Sequence, residues 1–300
     1  MNVAIKSNEL PNIPSISSSA MLVNLNISLW TGRKLDKSAT TAVTYDNNAD
    51  EGVVQVSKKL LGDCPQLKKI QKFVGSVRNN THYYYTMPWA DSGARLLPTK
   101  LYFRYHKEMT ELEQTFFELV EVFLGEYSWE VTRAQVRLGN LFNLDEYPTT
   151  DTLRSKFNFV LSYLPLPESG DWRVDIAKES VDHLKENYET YFNTQIKQSM
   201  DSLWSRLYDT LANMSKRLDY SNAENKIEFK NSLVSNVTDM VDMLKMCNVS
   251  NCPQMSSMAQ KLHNTLNGVT TEALRENGHL RMETKKAIDA AIRNLPSLGF

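Results

Sequence analysis

Between Asp175 and Tyr220 the chain contains neither proline nor glycine, and its apolar residues recur at steps of three and four. Val181, Leu184, Tyr188, Phe192, Ile196, Met200, Leu203, Leu207, Leu211, Met214 and Leu218 form the series. The spacing averages about 3.7 residues, close to the α-helical repeat of ~3.6. Lys178, Glu179, Asp182, Lys185, Glu186, Lys197, Asp201, Arg206 and Asp209 occupy the intervening positions. One uninterrupted helix is therefore predicted, roughly 65 Å long at ~1.5 Å per residue. A rod of that length must bury its apolar stripe against other helices, so the fold is constrained to helix packing.

The totals set outer bounds. Three hundred residues supply enough core for one large domain or two ordinary ones. A formal net charge of −1 argues against a general polyanion binder, although a local basic face remains open. No apolar run approaches the ~20 residues of a membrane span, so no membrane role is expected. Three cysteines, an odd number in a long chain, fit a reducing compartment better than a disulfide framework. The opening residues lack the charged start and apolar core of a secretory signal. A cytoplasmic location follows as the expectation.

Read in order, residues 1–20 form a Ser-, Asn- and Pro-rich leader, 21–174 a mixed region and 175–300 the long-helix region. Val23, Leu25, Ile27 and Leu29 alternate with polar residues, which predicts a strand over Met21–Trp30. Asp36–Tyr45 is a short helix candidate, and Pro65 opens another on Leu67, Ile70, Phe73 or Val74, and Val77. Tyr102, Tyr105, Met109, Leu112, Phe116, Leu119 and Phe123 keep a 3-4 repeat, the pattern of coiled-coil-like packing. Gly125 is expected to end that helix, with a separate one over Trp129–Phe142. Phe159–Leu164 and Asp171–Ile176 suggest two short strands. Helices are also expected around Phe229–Leu244, Pro253–Leu266 and Thr284–Leu295. The expected fold is mainly α: an elongated helical bundle built on one long helix, with a small β-sheet of short strands at one end.

Motifs for catalysis do not emerge. There is no Gly-x-x-x-x-Gly-Lys-Ser/Thr loop, Gly-x-Gly-x-x-Gly, His-Glu-x-x-His or Gly-x-Ser-x-Gly. Cys247, Cys252, His263 and His279 have the donor types of a zinc site but not the spacing of a known one. Glu108, Glu111, Glu118 and Glu121 read as a solvated helix face. No cofactor, metal or catalytic residue is assigned, and a non-enzymatic role is expected.

Two surfaces stand out instead. The loop Pro88–Arg95 carries Trp89, Asp91 and Arg95, and the first strand ends at Trp30 with Arg33 and Lys34 just beyond. Trp and Arg are the side chains that most often anchor protein partners. These six are the candidate partner-facing or loop-organising residues, and Asp91 and Arg95 could equally pair with each other. The second surface is basic: Lys58, Lys59, Lys68, Lys69, Lys72 and Arg78, followed by Tyr83, Tyr84 and Tyr85. Cations that track phosphates beside rings that stack on bases fit single-stranded nucleic acid. The bland alternative has the tyrosines in the core and the lysines keeping a helix soluble.

Leu22–Lys34, Tyr84 with Met87–Pro98, and Asp171-Trp172-Arg173-Val174 together resemble an uncharacterised protein family of tailed phages and integrative or conjugative elements. The likeness runs in order over about residues 21 to 250. Genes of that family often lie near a MoxR-type AAA+ ATPase and a protein with a von Willebrand factor A-like domain. The resemblance implies an accessory protein acting through protein–protein interaction in the host cytoplasm, with that ATPase module as a candidate partner. It carries no catalytic residues. A nucleic-acid accessory factor, a virion component, an inhibitor of host defence and a homo-oligomer all remain compatible with it.

Overall fold

A computed structural model describes residues 16–90, 93–166, 178–219 and 230–296, with side chains from 183 onward in the third segment. The fold is mainly helical with a small antiparallel sheet, as the periodicities predict. In chain order come β1 (Ala20–Ser28), β2 (Arg33–Leu35), α1 (Lys37–Asp46), β3 (Ser57–Lys59) and α2 (Pro65–Ser76). After α2 the chain continues as a π-helical turn over Val77–His82 and one α-turn over Tyr83–Tyr85. Then follow β4 (Met87–Pro88), β5 (Arg95–Pro98), α3 (Tyr102–Leu138), α4 (Thr150–Arg154) and β6 (Asn158–Pro165). The remainder is α5 (Lys178–Leu218), α6 (Ser232–Cys247), α7 (Pro253–Leu266), α8 (Thr271–Glu276) and α9 (Gly278–Arg293). Among the described residues no helix is long and apolar enough to cross a membrane.

The chain forms two compact units, and neither is a single stretch of sequence. One comprises 1–24, 84–104 and 162–300, the other 25–83 and 105–161. The expected single division near residue 174 differs from this, because the chain leaves and re-enters each unit. The N-terminal leader also needs revision at its end. Ile16 and Ala20 are each only 2% exposed, so the ordered core begins before residue 21. Residues 1–15, most of the predicted leader, lie outside the described residues.

In the first unit α5 is the predicted rod, 41 residues without a break, or about 60 Å at ~1.5 Å per residue. Phe192, Ile196, Met200, Leu203, Leu207, Leu211, Met214 and Leu218 are buried along it. It packs along α6 and α9, while α7 packs on α6 and α9 in turn. Leu233, Val237, Met240, Val241 and Leu244 give α6 its buried face, the antiparallel partner expected from their spacing. The sheet order is β4-β5-β1-β6. Within this unit Ala20 faces Pro98 and Val23 faces Arg95, and Met87 faces Leu96 on the other side of β5. The second strand predicted near 171–176 and the helix start near Phe229 lie outside the described residues.

The second unit is built on α3. Tyr105, Met109, Phe116 and Phe123 of the predicted repeat are wholly buried. Gly125 does not end the helix; α3 runs through it to Leu138, 37 residues in all. A glycine inside a helix costs only ~1 kcal/mol relative to alanine, and the flanking apolar repeat supplies far more through burial. The α-helix gives way at Gly139 to one 3-10 turn (Gly139–Leu141), and Gly139 has φ +51, the left-handed conformation that glycine adopts without a Cβ clash. Trp129 therefore belongs to the same helix as Tyr105. Asp36 caps α1, its carboxylate accepting from the Ala39 N–H at 2.9 Å, as the sequence allows. Tyr127 and Tyr147 close the far end, their hydroxyls donating to the carbonyls of Pro148 (3.0 Å) and Leu60 (2.6 Å). Burial pushes both phenols up to about 12.

Candidate interaction surfaces

The sequence-predicted tryptophans are core residues, which corrects their assignment to a partner-facing surface. In the second unit the Trp30 ring lies 6.2 Å from that of Phe123 and edge-on to Tyr127 at 6.0 Å. Gly32 (φ +64) turns the chain just after it, and a Cβ there would come within 3.0 Å of Leu67. In the first unit Trp89 is 5% exposed and meets Phe192 of α5 edge-on at 5.4 Å. The physical reason is area: an indole ring contributes most when it is taken out of water, and both stretches sit beside aromatic-rich helices.

The rest of the Trp89 loop is organised from within. Arg95 donates through Nε to the Thr86 hydroxyl (2.6 Å) and through Nη2 to the Thr86 carbonyl (3.1 Å). Ser199 of α5 donates to the Pro88 carbonyl at 2.5 Å. Asp91 lies outside the described residues. Arg95 is thus a loop-organising residue rather than a free anchor.

Just beyond, Arg206 donates to the Tyr84 carbonyl at 2.8 Å, with its guanidinium 5.8 Å from the centre of the Tyr84 ring. Burial pulls the Arg206 pKa down, and neighbouring Cys247 and Tyr84 oppose the shift. An open groove of about 480 Å³ adjoins it, flanked by Asp209 and Asp239, with Asn213 and Asn236 also on the wall. The groove offers mixed charge and amides, and neither thiol nor imidazole lines it.

The basic surface divides in the same way. Lys68, Lys69 and Lys72 are exposed on α2. Arg33, Lys59 and Lys68 line a hollow of about 250 Å³ together with Gln71 and Asp63. The hollow joins residues that the sequence placed in two separate sets, because β2 and β3 pair with Arg33 opposite Lys59. Asp63 partly neutralises it, 2.9 Å from Lys68 and 3.9 Å from Lys59. The Lys68 hydrogen bond and charge hold the Asp63 carboxyl below its usual range. Lys34 is exposed, whereas Lys58 is tied to Glu146 at 2.8 Å and to the Leu141 carbonyl at 2.8 Å. Arg78 points inward, donating to the Ile27 carbonyl at 3.4 Å. The tyrosines form no stacking platform, a second correction. Tyr85 is buried, Tyr84 is engaged by Arg206, and Tyr83 is the exposed member of the three.

The surface that the sequence reading missed lies on α3. Opposite its buried face, Val122 (56% exposed), Trp129 (65%) and Val136 (84%) recur every seven residues. Gly125 and Thr132 fill the alternate positions and are also exposed. Apart from its chain neighbours and the helix's own backbone, no atom of the described residues stands within 4 Å of where a Gly125 Cβ would be, so the stripe has open space at that position. Exposed apolar residues scattered singly need no explanation, but a stripe in register on one helix is the pattern of a contact surface. The signal was present as a 3-4-3-4 series, Val122-Gly125-Trp129-Thr132-Val136. Expecting Gly125 to stop the helix cut the series in two.

On the buried face of the same helix, Glu130 is 1% exposed, and its Oε1 accepts from Arg133 Nη1 at 2.9 Å. Its Oε2 has no hydrogen-bond partner among the described residues. Of the other α3 glutamates, Glu108 accepts from Thr81 at 2.9 Å and Glu121 pairs with Arg154. Among the described residues no three His, Cys, Asp or Glu side chains stand close enough to share a metal ion. Cys247 is fully buried, and burial pushes its thiol up to about 12, far from the thiolate a metal would need.

No protein-family model, curated protein or solved structure matches the chain.

Proposed function

We propose that this chain is a non-enzymatic accessory protein that works through protein–protein contact. The observation that supports this best is the exposed apolar stripe of α3, with Trp129 at its centre. A soluble helix that keeps valine, tryptophan and valine in register on its outer face has a partner to bury them against. On the strength of the motif resemblance, the setting is a phage or mobile element in its host's cytoplasm, and the AAA+ ATPase module is the associate to test first. The experiment replaces Val122, Trp129 and Val136 together with serine in the full chain. Co-purification of the ATPase and the von Willebrand factor A-like protein of the same element is then compared with wild type. Loss of both, with melting unchanged, is expected. Undiminished recovery of both by the triple variant sinks the stripe as the working surface.

A second reading has its own observation: the cationic hollow of Arg33, Lys59 and Lys68, with Lys69 and Lys72 exposed on the same helix as Lys68. Phosphate contacts from these side chains would make the chain retain single-stranded DNA at ~50 mM salt and release it steeply as salt rises. Lys68→Glu with Lys72→Glu is expected to abolish retention. If wild type itself fails to bind at that salt, the nucleic-acid reading ends.

A further inference from the structure

We infer that the partner covering the α3 stripe is a second copy of this chain, docked antiparallel about a two-fold axis that passes between Trp129 and Thr132. The inference rests on the proposed role of that face as a contact surface and names its occupant; the loss of co-purifying proteins expected of the triple-serine variant then follows from loss of the dimer that recruits them. Two features select a second copy, namely the sizes of the stripe residues and the charges beside them.

Consider size first. A two-fold axis midway between Trp129 and Thr132 sets Trp129 against Thr132 of the other copy and Gly125 against Val136 of the other copy. Each large side chain then meets a small one, and the open space over Gly125 receives the most exposed valine of the stripe. Parallel pairing in register would instead stack Trp129 on its own copy and leave Gly125 facing glycine. One layer would be overfilled and the next left empty, which close-packed interfaces avoid.

Charge points the same way. Antiparallel docking places Glu126 beside Arg133 of the second copy, offset by about 3 Å along the axis (two residues' rise). Two-fold symmetry repeats the pair on the other side of the axis. Arg133 uses Nη1 for Glu130, and its remaining guanidinium nitrogens have no protein partner among the described residues. Gln66 takes only Oε2 of Glu126. The other flank sets Ser128 beside Gln135, neutral on neutral. Parallel docking would bring Glu121 against Glu126 of the second copy, a like-charge pair at the flanking positions that set coiled-coil orientation. Sequence and exposure together therefore favour one orientation.

The test is sedimentation of the full chain from about 1 to about 300 µM, the range in which an interface of modest size dissociates. A monomer–dimer equilibrium is expected. Trp129→Glu should weaken it at least about 10-fold, the scale set by losing a central interface tryptophan. Its thermal melting should match wild type, because the ring is mostly in solvent. For orientation, Ser128→Cys chains are mixed with Gln135→Cys chains, both carrying Cys252→Ser, and treated with a short bismaleimide. A cross-linked heterodimer is expected. A chain that stays monomeric throughout, or a dimer indifferent to Trp129→Glu, overturns the inference. A dimer without the 128–135 cross-link overturns the antiparallel register. If the chain is monomeric yet the triple-serine variant loses its co-purifying proteins, the second copy is excluded while the contact-surface function stands.

Discussion

Replacing Trp89 with alanine is expected to destabilise the fold by about 3–5 kcal/mol, the usual cost of truncating a buried aromatic side chain. The indole is 5% exposed and packs edge-on against Phe192, which is itself wholly buried on α5. Truncation leaves a cavity in a wall that cannot collapse freely, since Ser199 holds the adjoining Pro88 carbonyl and Arg95 holds Thr86. Trp30→Ala in the second unit should cost a similar amount, because its ring is enclosed by Phe123 and Tyr127. Trp129→Ala provides the contrast. That ring is 65% exposed, so the change should stay within about 0.5 kcal/mol when measured on the monomer. Urea denaturation of the three variants side by side checks the prediction. Wild-type stability in Trp89→Ala would return that residue to the list of partner-facing candidates.

The second large effect concerns Glu130. A carboxylate at 1% exposure with one oxygen unpartnered among the described residues depends on Arg133 for its charge compensation. Removing the partner of a fully buried ion pair costs about 3–5 kcal/mol. Arg133 is 41% exposed, so solvent screening brings the expectation for Arg133→Met down to about 1–3 kcal/mol. Glu130→Leu removes the buried charge itself and is expected to be neutral or stabilising. Once Glu130 is leucine, Arg133→Met should cost almost nothing, and a double-mutant cycle measures the difference as a coupling. An Arg133→Met protein as stable as wild type would show that water, not the guanidinium, compensates the carboxylate.

These two sites also mark the limits of what residue patterns convey. Trp89 and Arg95 are conspicuous in a loop because their side chains are large and versatile. That versatility is why the pattern alone does not separate an interface anchor from an internal pin. Burial decides it, and burial of Trp89 depends on Phe192, more than a hundred residues away in the chain. Likewise, Arg33 and Lys68 share a hollow only because β2 pairs with β3, a long-range pairing with no local signature. Tyr83, Tyr84 and Tyr85 read in sequence as a set of stacking rings, whereas Arg206 engages Tyr84 and the core takes Tyr85.

The sequence by itself determined the helical character of the chain and the extent of α5. A 3.6-residue apolar period without proline or glycine leaves the backbone one way to satisfy its hydrogen bonds while burying a single stripe. The Asp36 cap of α1, Pro65 at the head of α2 and the buried repeat of α3 follow from equally local chemistry. The tertiary structure decided which side chains meet solvent. Exposure depends on neighbours brought from distant parts of the chain, so Trp30 and Trp89 turned inward while Trp129 was left on the outer face of a helix that Gly125 did not interrupt.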